Sequence, residues 1–198
     1  MKSVLIAIRP KWVEKIASGE KTIEVRKKAP KEVPFKAYIY ETKGATETPW
    51  IDEDGHFIYK GRGQVIGEFI CDKVYPIKNK GSSFVVANEE QSVTNEIAGQ
   101  SCLYYDDMVS YFGDKDGYGW HISDLKIYDK PRELSDFLKP CPDTYRYCTI
   151  CKHCVKIIPP DEEEYALYHG GQYDSWEEHC TNRLSSPPRS WQYVEEEE

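Results

Sequence analysis

The sequence predicts an α+β chain: a small mixed β-barrel of five or six strands with short helices, followed by a Cys-rich C-terminal appendage. Three observations lead there. Short segments of alternating or continuous β-branched and aromatic residues recur through the first two thirds of the chain. Most links between them are too short for the helical crossovers of a parallel sheet. The composition then changes at Pro140, beyond which cysteine, proline and glutamate dominate. Residues 1–139 are therefore expected to form one domain and residues 140–198 an extension.

Taken in order, Ser3–Ile8 is a continuous apolar run and reads as a buried strand. Pro10 suits a first helical turn, Trp12, Val13 and Ile16 recur at helical spacing, and Gly19 supplies the stop. Thr22–Arg26 alternates, with Ile23 and Val25 on one face and Thr22, Glu24 and Arg26 on the other. Phe35–Glu41 alternates again. Residues 42–63 read as a glycine- and proline-containing loop with a small hairpin at His56–Tyr59. Gln64–Val74 reads as one long strand in which Gly67 marks a bulge or a close backbone approach. Residues 75–103 carry no clear periodicity. Leu103–Phe112 reads as a helix stopped at Gly113, and Tyr118–Tyr128 as a strand closed by Pro131.

The chain has 198 residues, of which 39% are hydrophobic and 13% aromatic, enough to bury a core without covalent staples. No apolar run is long enough to span a bilayer, and MKSVLIAIRP lacks the long apolar region of a secretory signal. A cytoplasmic location without membrane attachment is expected. The net charge of −8 is unevenly spread: residues 1–43 carry +6 and the remainder −14. A basic N-terminal region on an acidic body suits a local polyanion site.

The densest chemistry lies in Gly19-Glu20-Lys21-Thr22-Ile23-Glu24-Val25-Arg26. A lysine beside carboxylates can anchor phosphate or stabilise charge, and an arginine can grip phosphate bidentately. A self-contained ion pair on an exposed strand is the plainer alternative. Trp120 and His121 follow a glycine-rich turn; alternation sends them to opposite faces, so at most one lines a cleft. Trp120 reads as core, which leaves His121 as a candidate base contact.

The GEKTIEVR segment matches the G-x-K-x-x-E-x-R signature of activating signal cointegrator homology (ASCH) domains, which have a PUA-like fold. LIAIRPKWVEKIASG resembles the start of that family and GWHISDLKIYDKPRELSDF its end, so the resemblance covers about residues 2–138. It implies a five- or six-stranded barrel whose cleft is associated with RNA or modified nucleobases. One branch is an amidohydrolase acting on acylated cytidine through a lysine, a threonine and a glutamate. Lys21 matches that lysine, and Glu68, in IGEF, matches the glutamate. Glu24 stands where the branch has its threonine, so the hydroxyl that would orient or activate the attacked group is missing.

The expectation is thus an RNA- or modified-nucleoside-binding domain, with Lys21, Glu24, Arg26, Lys27 and His121 as contacts. The alternative is a small hydrolase acting on an acylated nucleoside or on RNA, with Lys21, Glu24 and Glu68 as its catalytic groups.

Five of the seven cysteines fall in the last third. Cys148, Cys151 and Cys154 form two overlapping C-x2-C pairs, with Cys180 further on. Two thiolates so spaced can face one metal, and a distant ligand closes the tetrahedron. A structural zinc on Cys148, Cys151, Cys154 and Cys180 is expected, with Cys141, His153 and His179 as substitutes. The extension, which otherwise offers little core, could also dock a protein partner. Its RSWQYV segment reads as a last strand.

Overall fold

The computed structural model describes residues 1–44, 61–81, 84–86, 94–140 and 183–196. The chain divides into two compact units, one of Met1–Arg132 with Pro188–Gln192 and one of Glu133–Pro187 with Tyr193–Glu198.

In the first unit, strand β1 (Ser3–Ile8) leads into helix α1 (Pro10–Ala17), and β2 (Ile23–Arg26) and β3 (Phe35–Glu41) follow. These four elements sit where periodicity placed them. Helix α1 begins with its proline and buries Pro10, Val13 and Ile16. Gly19, at a φ of 77°, takes the left-handed conformation that ends the helix. The chain between β1 and β3 is long enough to return in the same direction, so these strands pair in parallel, Ser3 opposite Lys36 and Ile8 opposite Glu41.

Two expected strands each prove to be two. Gln64–Val74 resolves into β4 (Val65–Cys71) and β5 (Val74–Asn79), and Tyr118–Tyr128 into β7 (Gly117–His121) and β8 (Ser123–Arg132). Strand β4 lies between β3 and β8, whereas β5 pairs with β7 in a second sheet of order β2-β7-β5-β6, with β6 at Phe84–Val86. The breaks lie side by side: the His121 N–H donates to the Lys73 carbonyl at 3.0 Å. Between β4 and β5 the alternation of Val65, Phe69, Cys71, Tyr75 and Ile77 runs through this corner unbroken, whereas between β7 and β8 the apolar positions shift from Trp120 and Ile122 to Leu125 and Ile127, beside Asp124 at a φ of 47°. Strand β8 also runs on through Pro131, contrary to the expected stop, as far as Arg132. A proline ends a strand only where its missing N–H is needed by a neighbour.

Gly67 has the role foreseen for it. The β4–β8 register shifts beside it, and a Cβ there would lie 2.5 Å from the Lys126 carbonyl oxygen. The two sheets meet through Phe35 and Trp120, whose rings are 5.0 Å apart at 84°, and Trp120 also packs edge-on against Trp191. The other face of the second sheet is covered by helices α2 (Thr94–Ser101) and α3 (Tyr105–Phe112). There Ile23, Val25, Ile77, Phe84, Ile97, Met108 and Phe112 form one apolar cluster. Helix α3 falls within the expected helix; α2 had no periodic signal to announce it.

In the second unit, β9 (Phe137–Leu138) pairs antiparallel with the end of β10 (Trp191–Glu196), Leu138 opposite Glu195. The expected last strand is therefore present. The Leu184 N–H donates to the Phe137 carbonyl at 2.9 Å. Among the described residues, no helix is long and apolar enough to cross a membrane.

Candidate functional site

Strand β2 is only four residues long, yet all four are buried. Ile23 and Val25 enter the apolar cluster under the helices. Glu24 and Arg26, on the other face, are opposite Trp120 and Tyr118 of β7. The face that alternation reads as polar and solvated is instead turned toward the first sheet. Glu24 is 6% exposed and Arg26 7%.

Lys21, 2% exposed, precedes this strand. Its own N–H donates to the Lys15 carbonyl at 2.8 Å, and the Thr22 N–H donates to the Gln100 carbonyl. The segment is thereby tied to α1 on one side and α2 on the other. The Lys21 ammonium donates to the Ser101 carbonyl at 2.6 Å and lies 3.3 Å from Glu24 Oε2. The other carboxylate oxygen, Glu24 Oε1, takes Arg26 Nη2 at 2.8 Å. Arg26 Nη2 also donates to the Ala7 carbonyl at 2.7 Å, and Nη1 reaches the Ser190 hydroxyl at 3.4 Å. The Nε–H of Arg26 is buried and has no acceptor among the described residues.

One carboxylate thus sits between two cations, a buried row carrying one positive charge in excess. Burial without compensation would be costly; the carbonyls of Ser101 and Ala7 supply part of it. What the row still offers is a site that favours an anion or a strong hydrogen-bond acceptor.

Aromatic rings stand at both ends. The Lys21 ammonium lies 5.3 Å from the centre of the half-buried Trp12 ring. Beyond Arg26 is Tyr111 of α3. Burial pushes its phenol above the ordinary range, and the positive charge of Arg26 pulls the other way. Neither Trp12 nor Tyr111 carried a sequence signal for a site: Trp12 reads with the apolar spacing of α1, and Tyr111 stands off the face on which α3 buries Met108 and Phe112. The partial exposure of both rings emerges only from the packing.

The other sequence candidates lie elsewhere. Lys27 is exposed and stands over the Tyr111 ring at 5.2 Å, next to the row. Glu68, on β4, accepts from the Tyr128 hydroxyl at 2.5 Å and pairs with Lys36 at 3.5 Å, so it belongs to a separate cluster on the first sheet. His121 is on the face of β7 opposite Trp120, where its Nδ1 meets Asp72 Oδ1 at 2.6 Å. The buried Trp120 is core, as alternation implied. Cys141, Cys148, Cys151, Cys154, Cys180, His153 and His179, and the hairpin expected at His56–Tyr59, lie outside the described residues. Among the described residues, no group of three metal-ligating side chains comes together. Cys71 is buried, and its thiol is pushed up to about 12, chiefly by desolvation.

The hydrogen bond with His121 holds the Asp72 carboxyl below its ordinary value of 3.8. A carboxyl depressed in the folded state stabilises the fold above its unfolded value, and that contribution is lost as pH falls through the folded value. In His121→Ala, stability followed from pH 5 to 2 (about one unit above and two below the ordinary carboxylate range) is expected to fall less steeply than in the unmodified chain.

A barrel of two facing sheets, with short helices on one face and a buried Lys-Glu-Arg row on the strand after the first helix, defines a PUA-like α+β domain. Among solved structures, the chain is similar to ASCH from Zymomonas mobilis. To a serine-to-alanine variant of that protein it is 13% identical with a TM-score of 0.50, covering 98% of this chain and 89% of the other. For ASCH of the same organism the values are 14%, 0.48, 98% and 88%. For a tyrosine-to-phenylalanine variant they are 17%, 0.46, 68% and 77%. No family model and no curated protein matches the chain. The fold is that of an ASCH domain, as the GEKTIEVR signature implied.

Proposed function

We propose that the first unit is a binding domain for RNA or a modified nucleoside and that the Lys21–Glu24–Arg26 row is its recognition floor. The observation that carries this reading is the buried positive excess of the row, together with the Nε–H of Arg26, which has no acceptor among the described residues. Buried N–H groups are nearly always satisfied, so one that stays open beside a net positive charge suits an incoming phosphate or base carbonyl. The carboxylate of Glu24 can in turn accept from an exocyclic amine. The +6 balance of residues 1–43 adds long-range attraction for a polyanion. The hydrolytic alternative needs Lys21 and Glu68 to act on one substrate. Here Lys21 has Glu24 as its carboxylate, while Glu68 is held by Tyr128 and Lys36. Binding is the reading the geometry favours.

A thermal-shift screen against short RNAs and modified nucleosides tests it. A ligand at 100 times its Kd is expected to add about 2.7 kcal/mol of stability. Arg26→Lys keeps the charge and loses the planar fork, and it is expected to weaken that ligand about tenfold. An absence of stabilisation throughout the screen, or full binding by Arg26→Lys, would remove the proposal.

The Cys-rich extension belongs to the same proposal as a zinc-stabilised appendage, with Cys148, Cys151, Cys154 and Cys180 as ligands and a protein partner as a second use. Metal analysis of the purified chain is expected to return about one zinc per molecule. Cys151→Ser is expected to lose it, and a metal-free preparation would remove this part of the reading.

A further inference from the structure

The aromatic rings at the two ends of the buried row share an arrangement that the row itself does not require. Trp12 has the exposed Lys11 over its ring at 5.1 Å and the buried Lys21 over it at 5.3 Å. Tyr111, 36% exposed, has the exposed Lys27 over its ring at 5.2 Å, and its phenol feels the charge of Arg26. The order of contacts is therefore exposed cation, ring, buried Lys-Glu-Arg row, ring, exposed cation. Among the described residues, the Lys11 and Lys27 ammonium groups meet nothing stronger than these ring contacts, which at exposed positions are weak.

We infer that Trp12 and Tyr111 are stacking platforms for the bases of a single-stranded nucleic acid, and that Lys11 and Lys27 leave the rings to pair with the phosphates beside the stacked bases. This rests on the proposed nucleic-acid reading and deepens it: the row chooses an acceptor group, while the rings set the requirement for an unpaired base.

The chemistry supports a single strand over other polyanions. A base offers a π-face that can replace an exposed ammonium on an aromatic ring, and the displaced lysine then has a phosphate within its reach. An acidic polypeptide could satisfy the lysines but has nothing to put on the rings. A duplex keeps its bases stacked on one another and so cannot offer them.

The test compares two probes at one ionic strength, a single-stranded uridine RNA of roughly eight nucleotides and an abasic ribose-phosphate oligomer of equal length. The unmodified chain is expected to bind the RNA at least tenfold more tightly, a base on an aromatic ring being worth about that much. Trp12→Leu and Tyr111→Leu are each expected to lose about tenfold for the RNA and nothing for the abasic oligomer, with Trp12→Phe and Tyr111→Phe restoring most of the loss. Lys11→Gln and Lys27→Gln are expected to weaken both probes alike and to reduce the dependence on salt.

Tyr111→Leu alters a partly exposed side chain, so it keeps the test open should Trp12→Leu fail to fold. If both leucine variants keep the unmodified preference for RNA, the stacking inference falls while the proposed recognition floor stands. If polyglutamate or a duplex of the same length binds as tightly as the single strand, the choice of ligand is overturned. If no nucleic acid binds, both readings fall together.

Discussion

Glu24→Ala is expected to destabilise the protein by about 3–5 kcal/mol, the usual cost of removing one partner from a buried ion pair. Among the described residues, Glu24 is the only carboxylate in contact with both Lys21 and Arg26, at 3.3 Å and 2.8 Å. Its removal leaves two cations facing each other with, among the described residues, the carbonyls of Ser101, Ala7 and Ser190 and the Ser190 hydroxyl around them. Nor can either escape to water, because each is also held by the backbone: Lys21 through the carbonyl of Ser101 and Arg26 through that of Ala7. Glu24→Gln keeps the shape and one acceptor, so its loss is expected to be smaller. Denaturant unfolding of the three chains measures both differences. A loss within about 0.5 kcal/mol for Glu24→Ala, typical of a surface substitution, would show that the carboxylate is solvated and that the row is no buried site.

The second large effect is expected at Trp120, which is fully buried and joins the two sheets. Its ring meets Phe35 at 5.0 Å and Trp191 at 5.7 Å, both edge-on. Trp120→Ala is expected to cost about 3–5 kcal/mol, the lost transfer energy adding to that of the cavity left behind. Trp120→Phe is expected to cost much less. It keeps a ring between Phe35 and Trp191 and removes an indole N–H that has no acceptor among the described residues. Unfolding midpoints of the two variants decide this. Equal losses would mean that the indole N–H, and not the bulk of the ring, is what the position requires.

These two positions also show how far local pattern reaches. Both the burial of Trp120 and the opposite orientation of His121 follow from alternation along a strand whose start is marked by glycines. The same reasoning sends Glu24 and Arg26 to the face opposite Ile23 and Val25, and the structure does so. It errs only on what that face meets. A charged face reads as solvated because water is the commonest partner for charge. Here the face is turned to the other sheet, and the charges satisfy one another and the backbone.

Glu68 shows the converse. The family resemblance set it beside Lys21, yet its neighbours are Tyr128 and Lys36, brought to it by the pairing of β4 with β8 and β3. No local signal carries that information, since strand pairing joins residues dozens of positions apart. Ser190 reaches Arg26 in the same way, from a segment more than 160 residues later.

The local events were legible in the amino-acid order. These are the proline start and glycine stop of α1, the alternation of β2 and β3, the close approach at Gly67, and the signature that names the fold. Each depends on residues within one turn or one strand, where steric and solvation preferences act directly. The tertiary fold alone set the corner between β4 and β5, because a continuous alternation satisfies both sheets equally. It also decided that Lys21, Glu24 and Arg26 are buried between Trp12 and Tyr111. Burial is a property of what packs against a residue, and here the covering elements come from both ends of the chain.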